Sequence, residues 1–445
     1  MKAKFLRWGL LLFAFLIPFG TKKFLFDFPT PFRNVYTSEY TSAFLYGSDI
    51  LFLVCLFLLF FSKPLCWWEE RFKKFKVPLF FLALFLIFSA LSLFSAGYFN
   101  FGVYSFGRLA LGILSALMVG VALKSNIIRF REIAFVISLA AVFEAVVGFL
   151  QFILSKSVGL WFLGETIFGP GTPGIAKVLI NGTEFVRAYG TMPHANILAG
   201  FLVLGLLSFF YLFLKEEKKY LRVLEAGGIF VVLTGLFLTF SRSGWITALV
   251  SCLILLVWEL FADKERRKRV IYLVSLLLVI SSLLFVSLGW AISSRAHLSV
   301  NEGPVSDRWT YDRIGAELVL SHPFLGVGIG NQLFYTYRAG LFEKYDVNSL
   351  GQWQPIHNLY LMMGSEIGIL GLISFIIFVI LLISRSWNLF GIWDLEFGIS
   401  ATMFFALLLF GLFDHFLWDL ELGRLMLWVT IGILLGIREE ANVAF

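Results

Sequence analysis

SDRWTYDRIGAELVLSHPFLGVGIGNQLFYTYRAGLFEKYDVNSLGQWQPIHNLYLMMGSEIGILGL, from Ser306 to Leu372, is the polar interruption of an otherwise apolar chain. It carries Arg308, Arg313, Arg338 and His357 before the chain turns apolar again at His357-Asn358-Leu359-Tyr360-Leu361. Tyr311, Ile314 and Leu318 recur at i, i+3 and i+7, with Asp312, Arg313 and Glu317 between them. That spacing predicts an amphipathic helix. His322-Pro323 ends it, and Gly326, Gly328 and Gly330 make the following turn. A second short helix is expected near Asn331 to Lys344, lying on the bilayer surface. A polar segment this long does more than join two spans. It is expected to cap a reaction chamber at the outer membrane face, with His357 at the chamber's edge.

Outward from this stretch the chain is all membrane. At 59% hydrophobic over 445 residues it is no ordinary soluble domain. A spanning helix needs about 20 mostly apolar residues. About twelve runs approach this: 5–19, 49–62, 77–94, 106–123, 133–154, 196–214, 226–240, 243–261, 270–290, 358–383, 396–417 and 422–437. The first run ends at Pro18-Phe19-Gly20 without a small-residue cleavage site and reads as an uncleaved span. Basic residues set the orientation. Lys2 to Arg7, Lys63 to Lys76, Lys124 to Arg131, Lys215 to Arg222, Lys264 to Arg269, Arg385 and Arg438 hold most of the 36 Lys and Arg. These loops face the cytoplasm, and both termini with them. Lys22, Lys23 and Arg33 run against the rule in an outer loop. The outer segments are Gly20 to Ser48, Ser155 to Ala195 and Ala291 to Ile356. The organisation is 1–290 with nine spans, 291–356 as an outer loop domain, and 357–445 with three spans. No internal repeat of the transporter kind is evident.

This topology brings Arg187, Arg242 and His357 to one face. Arg187 precedes span six, Arg242 sits in the Ser241-Arg242-Ser243-Gly244 turn between spans seven and eight, and His357 opens span ten. A guanidinium held that close to hydrocarbon needs an anion or a carbonyl. A planar arginine fork binds phosphate without losing its charge. A pair could hold a diphosphate and stabilise the charge that grows as it departs. A neutral His can take a proton from an acceptor hydroxyl. The combination suits inverting glycosyl transfer from a lipid diphosphate.

Each residue also has a plainer reading. Arg242 could snorkel, Arg187 could be a solvated loop charge, and His357 and Asn358 could cap a helix. Glu144, with Gln151 two turns on, and Glu366 are intramembrane polar groups, either functional or bonded to another helix. Asp414, His415, Asp419 and Glu421 read as loop polarity. His194, His297 and His322 show no metal spacing, and Cys55, Cys66 and Cys252 no disulfide or zinc pattern. No Walker sequence, Asp-x-Asp pair or nucleophile elbow occurs, so neither cofactor nor obligatory metal is indicated. The +7 charge sits in membrane loops and does not indicate nucleic acid.

Several short motifs carry a resemblance. Thr239-Phe240-Ser241-Arg242-Ser243-Gly244 resembles the Ser-Arg motif of the O-antigen ligase and polymerase superfamily. Arg187-Ala188-Tyr189-Gly190-Thr191 through Asn196 is similar to its Arg-x-x-Gly-Thr-x-x-x-x-Asn stretch, with His194 where many relatives have Asn. Pro323 to Gly328, His357-Asn358-x-Tyr360-Leu361 and Glu366-Ile367-Gly368-x-x-Gly371 resemble its outer loop and the helix beyond. The resemblance covers about Glu144 to Gly371. It implies an all-α, twelve-span glycosyltransferase of GT-C type in the bacterial inner membrane, with its site at the periplasmic face. The implied partners are an undecaprenyl-diphosphate-linked glycan donor, a lipid A-core acceptor and membrane lipids, with the enzyme a monomer. Arg187 and Arg242 would bind the diphosphate and His357 would activate the acceptor hydroxyl. Arg308, Arg313 and Asn358 would add substrate contacts. The closest alternatives are an O-antigen polymerase or a protein O-oligosaccharyltransferase using the same donor. A lipid-glycan transporter is the alternative of another class.

Overall fold

The computed structural model describes residues 2–32, 38–62, 72–169, 171–180, 183–262, 264–296, 303–347, 352–390 and 394–437. Arg33, Cys66, His297, Arg438 and the Lys63 end of its basic cluster lie outside the described residues. Helix α1 (Lys2–Phe15) leads to an antiparallel hairpin of β1 (Lys22–Asp27) and β2 (Ser42–Tyr46). Then come α2 (Gly47–Ser62), α3 (Lys76–Leu91), α4 (Phe99–Lys124) and α5 (Phe130–Leu154). A second hairpin, β3 (Lys177–Ile180) and β4 (Thr183–Val186), precedes α6 (Ala195–Lys215), α7 (Lys219–Leu238), α8 (Arg242–Ala262) and α9 (Lys264–Ala296). The outer segment folds as α10 (Gly303–Ser321), α11 (Gln332–Arg338) and α12 (Leu341–Lys344). The chain closes with α13 (Leu359–Phe390), α14 (Leu395–Phe410), α15 (Phe416–Asp419) and α16 (Glu421–Gly436).

Among the described residues, 8 helices are long and apolar enough to cross a bilayer, as in a multi-pass membrane protein. Gly47–Phe61 and Leu395–Phe410 are shorter apolar helices. Lipid as solvent explains the surface. Along α8, Ile246, Leu249, Leu253, Val257 and Phe261 are exposed at steps of three and four residues. In water such a stripe would need a partner; in hydrocarbon it is the outer face.

The interior is built around α6. Its residues from Ala195 to Leu214 are all buried, packed by α5, α7, α8 and α14. Helix α16 is buried along its whole length and lies against α4. The approach is close because Gly432 faces the Ala116 carbonyl, where a Cβ would stand 2.5 Å away.

The basic loops meet at one end of the bundle. Arg7 pairs with Glu132 and Arg131 with Glu216, Arg269 Nη1 donates to Leu214 O at 2.8 Å, and Arg385 Nε donates to Lys74 O at 2.8 Å. Both hairpins, α10 and the starts of α6 and α13 meet at the other end.

Helix α13 breaks at Gly368 (φ 77°), and the break joins the outer segment to the bundle. Val327 N and Gly328 N donate to Ser365 O and Glu366 O at 2.8 and 3.0 Å, and Ile369 N donates to Pro323 O at 2.8 Å. The Glu366 carboxylate accepts from Gly330 N, Gln332 N and Trp418 Nε1 at 2.8, 3.2 and 2.7 Å. Of the two readings for this intramembrane acid, the bonds favour a structural tie.

The two hairpins were not expected in the outer segments 20–48 and 155–195. The amphipathic helix is α10, with Tyr311, Ile314 and Leu318 buried as their spacing requires. The second outer helix is split into α11 and α12 at Gly340, where φ is 65°. The Ser-Arg turn is tighter than expected, because Phe240 adopts φ 46° and α8 starts at Arg242 itself.

Candidate active site

A cavity of about 1070 Å³ opens where these outer elements meet. Its lining includes Arg187, His194, Asn196, Arg308, Tyr311, His357, Asp414 and His415. Arg187 follows β4 and is nearly buried, at 7% exposure. Its Nε donates to Thr239 O at 2.5 Å and its Nη2 to Asn196 Oδ1 at 3.0 Å. The guanidinium is thus fixed against the end of α7 and the start of α6.

Asn196 is the hub. Its Oδ1 also accepts from Ser241 Oγ at 2.9 Å, and its Nδ2 donates to Asp414 Oδ2 at 2.9 Å. Ser241 immediately precedes Arg242, which is half-buried at the first turn of α8. Arg242 is therefore next to the Arg187–Asn196 cluster, although it is not among the cavity-lining residues.

The segment from 187 to 196 is held from behind by α5. Thr191 N and Oγ1 donate to the Glu144 carboxylate at 2.7 and 2.6 Å. Gln151 Oε1 accepts from Tyr189 N and Gly190 N at 3.0 and 2.8 Å, and Gln151 Nε2 donates to Gly190 O at 2.7 Å. Both intramembrane polar groups thus satisfy a loop backbone that could not otherwise be buried.

His357 lies between Tyr311 and His415. It stacks on Tyr311 with 5.2 Å between ring centroids, and meets His415 edge-on at 4.9 Å. Its Nδ1 is 2.9 Å from Pro355 O. A carbonyl only accepts, so Nδ1 carries the hydrogen and Nε2 is the ring's acceptor. Burial, aided by His415, lowers its pKa to about 3. Asn358 does the capping its position allowed: Oδ1 accepts from Tyr360 N and Leu361 N at 3.0 and 3.1 Å.

His194 caps α6, with Nδ1 accepting from Asn196 N at 3.1 Å. Burial, then Arg187, lowers its pKa to about 4. Burial alone would raise Asp414, but His415, His357 and Arg308 hold it below the usual carboxylate range. Burial alone would lower the His415 pKa, but Asp419, whose two oxygens lie 2.9 and 2.7 Å from Nδ1, raises it above the ordinary imidazole value.

Among the sequence candidates, the structure brings Arg187, Arg308 and His357 to one cavity, while Arg242 follows Ser241, which bonds the lining residue Asn196. Arg313 is exposed, its guanidinium 5.0 Å from the Tyr345 ring. Asp414 and His415, expected only as loop polarity, line the cavity. Their signal was four polar residues in one outer turn between apolar helices. His322, bonded to Tyr335 OH at 3.0 Å, is not among the lining residues.

Residues 227–376 match the family model described as O-Antigen ligase. The match covers about a third of the chain. No curated protein matches the chain. The matched segment spans the Ser-Arg turn, α10 and His357, while Arg187, Asn196 and Asp414 lie outside it. It supports O-antigen ligase or polymerase type activity, that of a glycan-transferring enzyme acting on lipid-linked glycans.

Proposed function

We propose that the protein is an O-antigen ligase of the bacterial inner membrane. Four shorter helices, α1, α2, α14 and α16, join the eight long ones in a twelve-span bundle with both termini cytoplasmic. The cavity then opens at the periplasmic face, opposite the basic loops. The donor is a glycan on undecaprenyl diphosphate and the acceptor a hydroxyl of the lipid A-core sugar.

The observation that carries this reading is the His357 tautomer. With Nδ1–H given to Pro355 O, Nε2 is an unprotonated base on a cavity that also holds Arg187 and Arg308. The acceptor oxygen attacks the anomeric carbon, its proton passes to Nε2, and the bond from that carbon to the diphosphate oxygen breaks. Undecaprenyl diphosphate leaves with the electron pair, and the anomeric centre inverts. Arg187, Arg242 and Arg308 offset the charge that collects on the leaving group. Asp414 orients Asn196, and through it Arg187. Against a transporter stands the use of Glu144 and Gln151, which hold a loop rather than offer a path.

The test is transfer in membranes with both substrates. Arg242→Ala is expected to fold and lose transfer; wild-type rates in that variant would remove its diphosphate role. His357→Ala is expected to keep donor binding and lose chemistry. A deletion strain separates ligase from polymerase: without a ligase, polymer builds up on the carrier and the core stays bare. Core bearing one repeat unit would instead identify a polymerase.

A further inference from the structure

His415 lines the same cavity and has no task in the step above. It is 6% exposed. Its ring stands at 82° to that of His357. The two imidazoles have unlike partners. His415 Nδ1 faces both oxygens of Asp419, one helical turn on. His357 Nδ1 faces a neutral carbonyl. A carboxylate favours the imidazolium, while a carbonyl fixes a tautomer and supplies no countercharge. Two imidazolium ions this close in a buried site repel each other. A proton added to the pair therefore goes to His415.

We propose that His415 is a positioning residue for the transfer: as an imidazolium held by Asp419, it keeps His357 in the uncharged form that takes the acceptor's proton. This rests on the reading of His357 as the base. The charged and titratable groups around His415 fit it. Asp414 Oδ1 lies 4.0 Å from Nε2, on the same turn. Tyr40 stands 6.3 Å away by ring centroids. Arg308 on α10 opposes the charge. Arg187, His194, Lys177, Asp307 and Tyr311, and Glu39 paired with Lys22 at 2.6 Å, are the other charged or titratable groups of the cavity wall. Two carboxylates, Asp414 and Asp419, thus stand against Arg308 around one ring. Without His415 and its charge, His357 would lose the neighbour that repels a second proton.

The experiment pairs ¹⁵N-histidine NMR of the full chain in nanodiscs with the pH profile of transfer. In the wild type, one of the 5 histidines is expected to titrate above the rest, and its signal to vanish in His415→Gln. In His415→Gln, His357 is expected to titrate at least about one pH unit higher than in the wild type. The acid limb of kcat/KM should move with it, and Asp419→Asn should move both in the same direction. A His415 that only packs would slow transfer equally at every pH and leave His357 where it was; that result overturns the proposal. Should His415→Gln fail to fold, the wild-type spectrum and Asp419→Asn decide: five imidazoles titrating together would overturn it equally. An active His357→Ala would sink the base assignment while leaving the His415 titration in place, so the two failures are distinguishable.

Discussion

Asn196 Nδ2 donates to Asp414 Oδ2 at 2.9 Å, across 218 positions of sequence. The bond joins the start of α6 to the turn between α14 and α15, and Asn196 Oδ1 receives Arg187 on its other side. Arg187 and Asp414 are thus fixed through one amide. Asn196→Ala leaves both nearly buried charges without that partner, a loss of about 1–3 kcal/mol. Transfer is expected to fall about a hundredfold or more as the Arg187 fork loses its orientation. Asn196→Asp should be worse, because a second carboxylate would face Asp414. Thermal unfolding in detergent and a transfer assay check both. An Asn196→Ala protein with wild-type stability and rate would dissolve this link.

Glu144 sets a second expectation. Gly190 has φ 62°, and a Cβ there would land on the Glu144 carboxylate. Gly190→Ala therefore strains the backbone and displaces the acid from Thr191, at about 2–4 kcal/mol. Glu144→Ala removes the acceptor for Thr191 N and Oγ1. Both variants should lose transfer together with thermal stability. A Glu144→Ala protein that unfolds at the wild-type temperature but has lost transfer would point to direct chemistry instead.

Proton uptake gives a stability profile. His194 and His357 titrate at about 4 and about 3 in the fold, against 6.5 for a free imidazole. Between about 6.5 and 4 the unfolded chain binds protons that the folded chain refuses, so stability falls as pH falls through this window. Asp414 is depressed, so its contribution is present above 3.8 and is lost only as pH drops through its lower folded value. His415 is raised, so its contribution is full below 6.5 and fades as pH rises through its folded value. Unfolding temperatures measured from pH 8 to pH 4 should therefore decline on the acid side. His194→Asn keeps a cap at α6 and should flatten that decline. A flat profile between pH 6.5 and 4 in the wild type would contradict these assignments.

Arg187 and His357 could be read early, because helix ends fall on one face once the basic loops are assigned. Asn196 was legible only as part of a motif, since nothing in its spacing names Asp414 as its partner. Asp414 and His415 carry no such mark, because a polar turn between apolar helices has the same composition whether or not it lines a cavity. The hairpin at β3 and β4 had a local signal in Lys177-Val178-Leu179-Ile180-Asn181-Gly182, where Asn-Gly between apolar runs favours a tight turn. The polar residues on either side give the whole segment the composition of one loop, which masks that signal. Glu366 could be placed two turns into a span, but its partners Gly330 and Trp418 come from distant segments.

Arg308 and Arg313 are both candidate anion contacts by sequence, and helix geometry separates them. Five residues at about 100° each put the two side chains roughly 140° apart on α10. Arg308 shares a face with Tyr311 and lines the cavity, while Arg313 is exposed over Tyr345. Arg308→Ala removes a cation from the proposed diphosphate site and should cut kcat/KM about tenfold or more. Its loss should be steeper at low salt, where the remaining charges steer the donor. Arg313→Ala gives up one exposed contact of about 0.5–1 kcal/mol and should change the rate far less. Steady-state transfer with each variant, at two ionic strengths, decides the matter. Equal losses in the two variants would mean that the face of α10 turned to the cavity is not the one that meets the donor.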